Sequence, residues 1–405
     1  MISFRPAYGW PALVVLFAAL YSIHLGATEL TPIDESRSAL IVRDCLRGNW
    51  VLPRTPDGHL SEKPPLYYWM AAGLSAAFGE GERPMRLPSV AFAVATLAIV
   101  GWVASRIAGP AAGMLAVAAL GSNVLFVEWA RTAMVDMVFT FFFTAGLAAY
   151  LAARTGRLDR WPAAAVCGAF IGLAVLTKGP AGLVFAAAVG TVDLLMFTRG
   201  RFWKAGGIWA PAALFFAIAG VVSMIWYLPA CLARGSEFLF TSVLDENIFM
   251  PLGISHGIAG SHVNPPGYYL SRQFTILLPV AVLLPEAIRR LVRKEWGTVE
   301  KLLLAAVIAV SLVLAAASNK RWYYLLPLQP ALAVLIGLAL ASSWKEPAGA
   351  WLRMPVRFAG AVLALGSLAA VSCSFALPGQ VRVLEAMHHH RGLLAIAGTA
   401  VSWVG

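Results

Sequence analysis

The chain has 405 residues, of which 60% are hydrophobic and only 13% charged, and its mean hydropathy is +0.75. A water-soluble domain carries about 25% charged residues, so a soluble fold is excluded, and repeated uncharged runs of bilayer length exclude a barrel in favour of helices. The net charge of +11 does not indicate nucleic acid, since no basic face or aromatic platform accompanies it; it fits the Lys and Arg excess that insertion places in cytoplasmic loops.

Apolar runs of about 20 residues lie at 8–27, 88–105, 110–129, 135–153, 161–177, 180–197, 206–232, 270–287, 302–318, 322–343 and 357–377, and one more, 392–405, is cut by the chain end. They predict an all-α, multi-span helical bundle of about twelve spans in one membrane domain covering 1–405. No small-residue cleavage site follows the first run, which is therefore read as a retained span. Residues 28–87 form a first outer loop with interfacial helices; within it, 65–79 are apolar but too short to cross. Residues 233–269 form a second large outer loop. The cysteines, Cys45, Cys167, Cys231 and Cys373, show neither metal nor disulfide spacing.

Charge fixes the orientation. With the N-terminus inside, the inner segments hold sixteen basic residues against four acids, and the outer segments fifteen against fourteen. An inner side so strongly positive predicts a membrane protein with a cytoplasmic N-terminus and an outward working face.

The outer face gathers the residues able to do chemistry. Asp34 and Glu35 follow the first span. Acids there suit a helix N-terminus, but a carboxylate at the membrane surface can also take a proton from an acceptor hydroxyl. Glu62-Lys63-Pro64-Pro65 enters an aromatic helix, and a lysine at headgroup level suits a lipid phosphate or simply snorkels. Arg131 and Asp136 flank a turn between spans, as an ion pair or as functional charges. Lys178, in Thr177-Lys178-Gly179-Pro180, has no partner nearby in sequence. Lys320, Arg321, Tyr323 and Tyr324 open a late span, where an aromatic belt would also place such residues. In the second loop Asn247, His256 and His262 add polar groups; the two histidines, six apart, are a weak metal signature.

Taken in order, Asp34-Glu35, Glu62-Lys63-Pro64-Pro65, Arg131 with Asp136, Thr177-Lys178-Gly179-Pro180 and the Lys320–Tyr324 stretch resemble the GT-C glycosyltransferases of the protein O-mannosyltransferase and aminoarabinose lipid A transferase superfamily, over roughly residues 10–345. The resemblance implies a polyprenyl-phosphate-linked sugar donor, used on the periplasmic side of the bacterial inner (plasma) membrane, and a lipid, glycan or protein acceptor. It implies Asp34 and Asp136 as catalytic carboxylates. Lys63, Lys178, Arg131, Lys320, Arg321, Tyr323 and Tyr324 are implied at the donor phosphate, with Glu35, Glu62 and Asn247 in support. No cofactor is required, although Glu62, His256 and His262 are the candidate ligands for a divalent metal ion. Two positions depart from the family pattern: Ala39 stands where a Tyr is common, and no arginine follows Asn247. The soluble C-terminal domain common in the family is absent or truncated here.

The expected reaction is one in-line displacement with inversion at the anomeric carbon, its phosphate leaving group stabilised by cations. The rival from another class is a transporter or flippase of lipid-linked sugars. Transporters place ionisable groups near the bilayer midplane on broken helices in repeated halves. In this chain such groups sit at span ends, Asp193 being the main exception, and no internal repeat is visible.

Overall fold

The computed structural model describes residues 9–343, apart from 32, 62, 199–206, 236–237, 239, 241–263, 266 and 278–295. The described residues are mainly helical and contain no strand, only an isolated bridge between Arg54 and Leu60. The helices are α1 (Gly9–Ser22), α2 (Asp34–Leu46), α3 (Leu66–Phe78), α4 (Glu82–Ala108), α5 (Pro110–Gly121), α6 (Val124–Ala130), α7 (Val135–Arg154), α8 (Arg160–Lys178), α9 (Ala181–Thr198), α10 (Trp209–Arg234), α11 (Tyr268–Leu277), α12 (Thr298–Ala316) and α13 (Gln329–Ser343). A 3-10 segment, Trp322–Leu328, leads into α13.

Six of these elements are long and apolar enough to cross a membrane: α4, α7, α8, α10, α12 and the continuous Trp322–Ser342. The run expected as one straight span at 110–129 is instead α5 and α6, bent by 70°. Asn123 causes the break. Its side chain caps α6 by accepting from the Phe126 amide at 3.0 Å, and its Nδ2 donates to the Ile276 carbonyl at 3.2 Å. A capping residue in mid-run ends one helix and starts another. The first run also ends earlier than expected, α1 stopping at Ser22 instead of continuing to 27. The runs at 357–377 and 392–405 lie outside the described residues, as does most of the second loop; the run at 270–287 is described only as far as Leu277.

The bundle is built around α4, which packs on α1, α3, α5, α7 and α13. Close helix approach relies on small residues, as expected where lipid supplies no hydrophobic drive between helices. A Cβ added at Gly172 would lie 2.6 Å from Val222 Cβ, and one at Gly337 2.6 Å from the Ala112 carbonyl oxygen. The first loop is strapped to the bundle by indoles: Trp69 Nε1 donates to the Trp50 carbonyl at 2.7 Å, and Trp226 Nε1 to that of Val51 at 2.6 Å. Antiparallel packing of α7 and α8 sets the start of one beside the end of the other. That places Asp136 next to Lys178.

Candidate functional site

Asp136 lies in the first turn of α7 and is 3% exposed; Lys178 is the last residue of α8. An acid at a helix start and a cation at a helix end each suit the helix dipole. Gly179, at φ +80°, turns the chain away directly afterwards, a conformation glycine adopts without steric cost. The two side chains form an ion pair. Three rings surround the Lys178 ammonium, those of Tyr324, Phe139 and Tyr323, with centroids at 4.6, 5.6 and 5.8 Å. Such a cage holds a cation while keeping water off it.

The 3-10 segment supplies the next layer. Trp129 stacks on Tyr323 at 4.9 Å and meets Trp322 edge-on at the same separation. Arg321 Nη1 donates to Tyr323 Oη at 2.8 Å, and the negative charge of Asp34 acts on its guanidinium. Asp34 itself, at the start of α2, is exposed. It follows Ile33, whose φ of +76° is an outlier for a β-branched residue. Strain of this kind is held where the surroundings over-determine it and gathers at functional sites. Among the described residues, Arg321 Nε and Trp129 Nε1 are buried with no hydrogen-bond partner, and buried donors of that kind call for an acceptor.

Beneath Asp34 is an anchor. Glu35, 1% exposed, is salt-bridged to Arg86 of α4 at 2.9 Å. It also accepts from the Thr31 amide and hydroxyl at 2.8 and 2.7 Å and from the Ala133 amide at 2.7 Å. Burial raises the Glu35 pKa, but hydrogen bonds from Arg86, Thr31 and Ala133 outweigh it and hold the carboxyl down at about 2. Arg86 also donates to the carbonyls of Leu25, Thr28 and Glu29 at 2.9 to 3.0 Å. One buried pair thus ties the end of α1, the start of α2, α4 and the turn before α7, and sets Asp34 and Asp136 in register.

The sequence-chosen residues therefore divide. Asp136, Lys178, Arg321, Tyr323 and Tyr324 come together, and Asp34 lies near enough for its charge to act on Arg321. Arg131 and Asp136 do not pair: the Arg131 guanidinium donates to the carbonyls of Leu20, Tyr21 and Ile23 at 2.8 to 3.1 Å, closing the end of α1. The Lys320 ammonium donates to the Ala317 carbonyl, and Asn264 Nδ2 to the Lys320 carbonyl at 3.1 Å. Lys63 lies half-buried ahead of α3, its charge reaching Tyr227 of α10. Glu62, Asn247, His256 and His262 lie outside the described residues. Among the described residues no group of three or more His, Cys, Asp or Glu could hold a metal ion. Sequence reasoning passed over Arg86 and Trp129. Arg86 stands just before the apolar run at 88–105 and close to Glu82 and Arg83, where it reads as one more loop charge; nothing in the sequence singles out Trp129 from the other tryptophans.

Comparison with known proteins adds three findings. Residues 62–227 match the family model described as dolichyl-phosphate-mannose-protein mannosyltransferase. The undecaprenyl phosphate-alpha-4-amino-4-deoxy-L-arabinose arabinosyl transferase of Edwardsiella ictaluri is 28% identical over 81% of this chain and 58% of its own length. A second such enzyme, from Pseudomonas fluorescens, is 28% identical over 82% of this chain and 59% of its own length. The chain thus spans just under three fifths of these curated relatives. Among solved structures, ArnT from Cupriavidus metallidurans bound to undecaprenyl phosphate superposes with a TM-score of 0.71 at 23% identity, over 87% of this chain and 63% of that one. The archaeal oligosaccharyltransferase AglB from Archaeoglobus fulgidus, in complex with an inhibitory peptide and a dolichol-phosphate, gives 0.61 at 15% identity, over 94% and 57%.

Proposed function

We propose that this multi-pass membrane protein, which has the GT-C fold, is a glycosyltransferase that moves a sugar from a polyprenyl-phosphate donor to a lipid A, glycan or protein acceptor. The reaction is set at the outer face of the bacterial inner membrane, an orientation supported by the charge bias of the loops. The observation that carries the reading is the meeting of Arg321, Tyr323, Tyr324 and the Asp136–Lys178 pair at one end of the bundle, with Asp34 near enough for its charge to act on Arg321.

In the proposed step an acceptor oxygen attacks the anomeric carbon from the face opposite the phosphate. The bond from that carbon to the phosphate oxygen breaks, and polyprenyl phosphate departs. Lys178, Arg321 and Lys63 stabilise the charge that develops on the leaving oxygen. Tyr323 and Tyr324 shape the place it occupies, and Asp136 holds Lys178 there. Because Asp136 is engaged by a lysine and Asp34 is open to solvent, Asp34 takes the proton from a hydroxyl acceptor, worth 10²–10⁴-fold. An acceptor that is already an ionised phosphate brings no such proton, and Asp34 then only orients it. Arg131 and Lys320, committed to backbone carbonyls, shape the site instead of binding phosphate. Asp193, the one charge that suggested transport, is instead salt-bridged to Arg154 at 2.9 Å and bonded to Tyr150, a structural network.

The test is mass spectrometry of envelope glycolipids and glycoproteins from cells with and without the gene, and with Asp34→Asn. A glycan that needs the gene is expected, with its formation sharply reduced by the substitution when the acceptor is a hydroxyl. A deletion that alters transport of lipid-linked sugars while every glycan persists would overturn the transferase reading.

A further inference from the structure

At the opposite end of the bundle, α4, α7 and α12 line a cleft of about 530 Å³ that is open to the surface, where Trp102, Arg106 and Arg157 are exposed. From Asp136 to Ala152 along α7 is roughly 24 Å at 1.5 Å per residue, so this space is distinct from the site described above. Its walls include Trp102, Ile107, Leu151 and Leu158, and two arginines, Arg106 and Arg157, line it as well. The volume falls within the usual range for a small-molecule site.

The arginines are arranged, not merely present. The Arg106 guanidinium lies over the Trp102 ring, 5.8 Å from its centroid. Arg157, from the turn after α7, donates through Nη2 to the Arg106 carbonyl at 3.0 Å. That bond seats the Arg157 guanidinium on the backbone at the end of α4, and among the described residues no salt bridge neutralises either arginine. Among the described residues the neighbouring charges other than Asp159 are engaged elsewhere. Arg154 pairs with Asp193, Arg160 donates to the Gly207 carbonyl at 3.2 Å, and Glu300 folds back towards Gly297 at the start of α12. Asp159 is exposed and makes no ion pair among the described residues.

An apolar cleft edged by two guanidiniums that no ion pair among the described residues neutralises fits an amphiphile whose head is anionic. We propose that it binds an anionic glycerophospholipid of the adjoining leaflet. The phosphate meets Arg106 and Arg157, and the first carbons of an acyl chain fill the space between Ile107, Leu151 and Leu158. A membrane rich in such lipids supplies this ligand in great excess.

Native mass spectrometry of the full chain, released from detergent with added phosphatidylglycerol, phosphatidylethanolamine or undecaprenyl phosphate, tests this. Phosphatidylglycerol is expected to bind most tightly. The double substitution Arg106→Gln with Arg157→Gln should weaken it about thirtyfold, each arginine at an anionic headgroup being worth about fivefold. Ala148→Phe, which fills the cleft and leaves both charges in place, should also abolish its retention. Both variants are read only as monodisperse protein with an unfolding temperature near that of the parent; if either misfolds, Ala148→Leu and the single Arg157→Gln take their place. Equal binding of phosphatidylethanolamine, preferential binding of undecaprenyl phosphate, or phosphatidylglycerol binding that survives the substitutions would each overturn the assignment.

Discussion

At Glu35 a single carboxylate takes hydrogen bonds from Arg86, from Thr31 and from the Ala133 amide, so its loss strands a buried guanidinium. Breaking a buried pair from one side costs about 3–5 kcal/mol, whereas replacing both partners with apolar groups is far milder. Glu35→Gln and Arg86→Met are therefore each expected to lower the thermal unfolding temperature in detergent by a large margin, and Glu35→Leu with Arg86→Met to recover much of it. An Arg86→Met protein as stable as its parent would show that the pair anchors nothing. The same carboxyl predicts a pH dependence. It titrates near 2 when folded, against 4.5 for the unperturbed group, so its ionised form contributes fully above about pH 4.5 and that contribution drains away as the pH falls towards 2. Unfolding temperature followed from pH 6 to pH 3 should decline in the parent and decline less in Glu35→Gln. At Lys178 the stake is turnover: Lys178→Ala is expected to reduce kcat/KM with a polyprenyl-phosphate sugar by about 10²–10³, the range for losing one transition-state donor. Normal turnover in that variant would remove Lys178 from the proposed site.

The helices divide into those whose cause lies in the local sequence and those that depend on distant partners. Uninterrupted apolar runs gave α4, α7, α8, α10 and α12 directly, because bilayer length and hydrophobicity are local properties. The break between α5 and α6 was hidden: Asn123 in an apolar run reads as a tolerated polar residue until its partners Ile276 and Gln329, more than 150 residues away, are in view. The site behaves in the same way. Lysine and acid at span ends were visible as costly charges, and the pairing of Asp136 with Lys178 follows once α7 and α8 are antiparallel neighbours. The partner of Arg131 was not legible, since the bare carbonyls at the end of α1 carry no side-chain signature. At this scale the glycines are the sensitive points. Gly172→Ala puts a Cβ 2.6 Å from Val222 Cβ and 2.9 Å from the Ala219 carbonyl oxygen. Overpacking of this order costs about 1–3 kcal/mol, and because it pries α8 from α10, a fall in donor affinity should accompany the fall in unfolding temperature. An unchanged unfolding temperature would mean that α10 yields at little cost.

For the whole molecule, the charge bias makes a prediction that the packing of helices does not. Cysteines introduced at Asp57, in the first loop, and at Asp159, between α7 and α8, both replace exposed residues. In intact spheroplasts a membrane-impermeant thiol reagent should label Asp57→Cys and spare Asp159→Cys; the reverse pattern would invert the topology. The anchor at Glu35 also has a consequence in time. Its partners Arg86 and Ala133 follow it by 51 and 98 residues, and a ribosome adds about 5–20 residues each second. The carboxylate thus waits about 5–20 s for its last hydrogen bond, after α4 and α5 have been made. Through that interval the first loop lacks its full anchor, and the working end of the molecule is completed later still, once Lys178 and the Trp322–Leu328 segment have been synthesised.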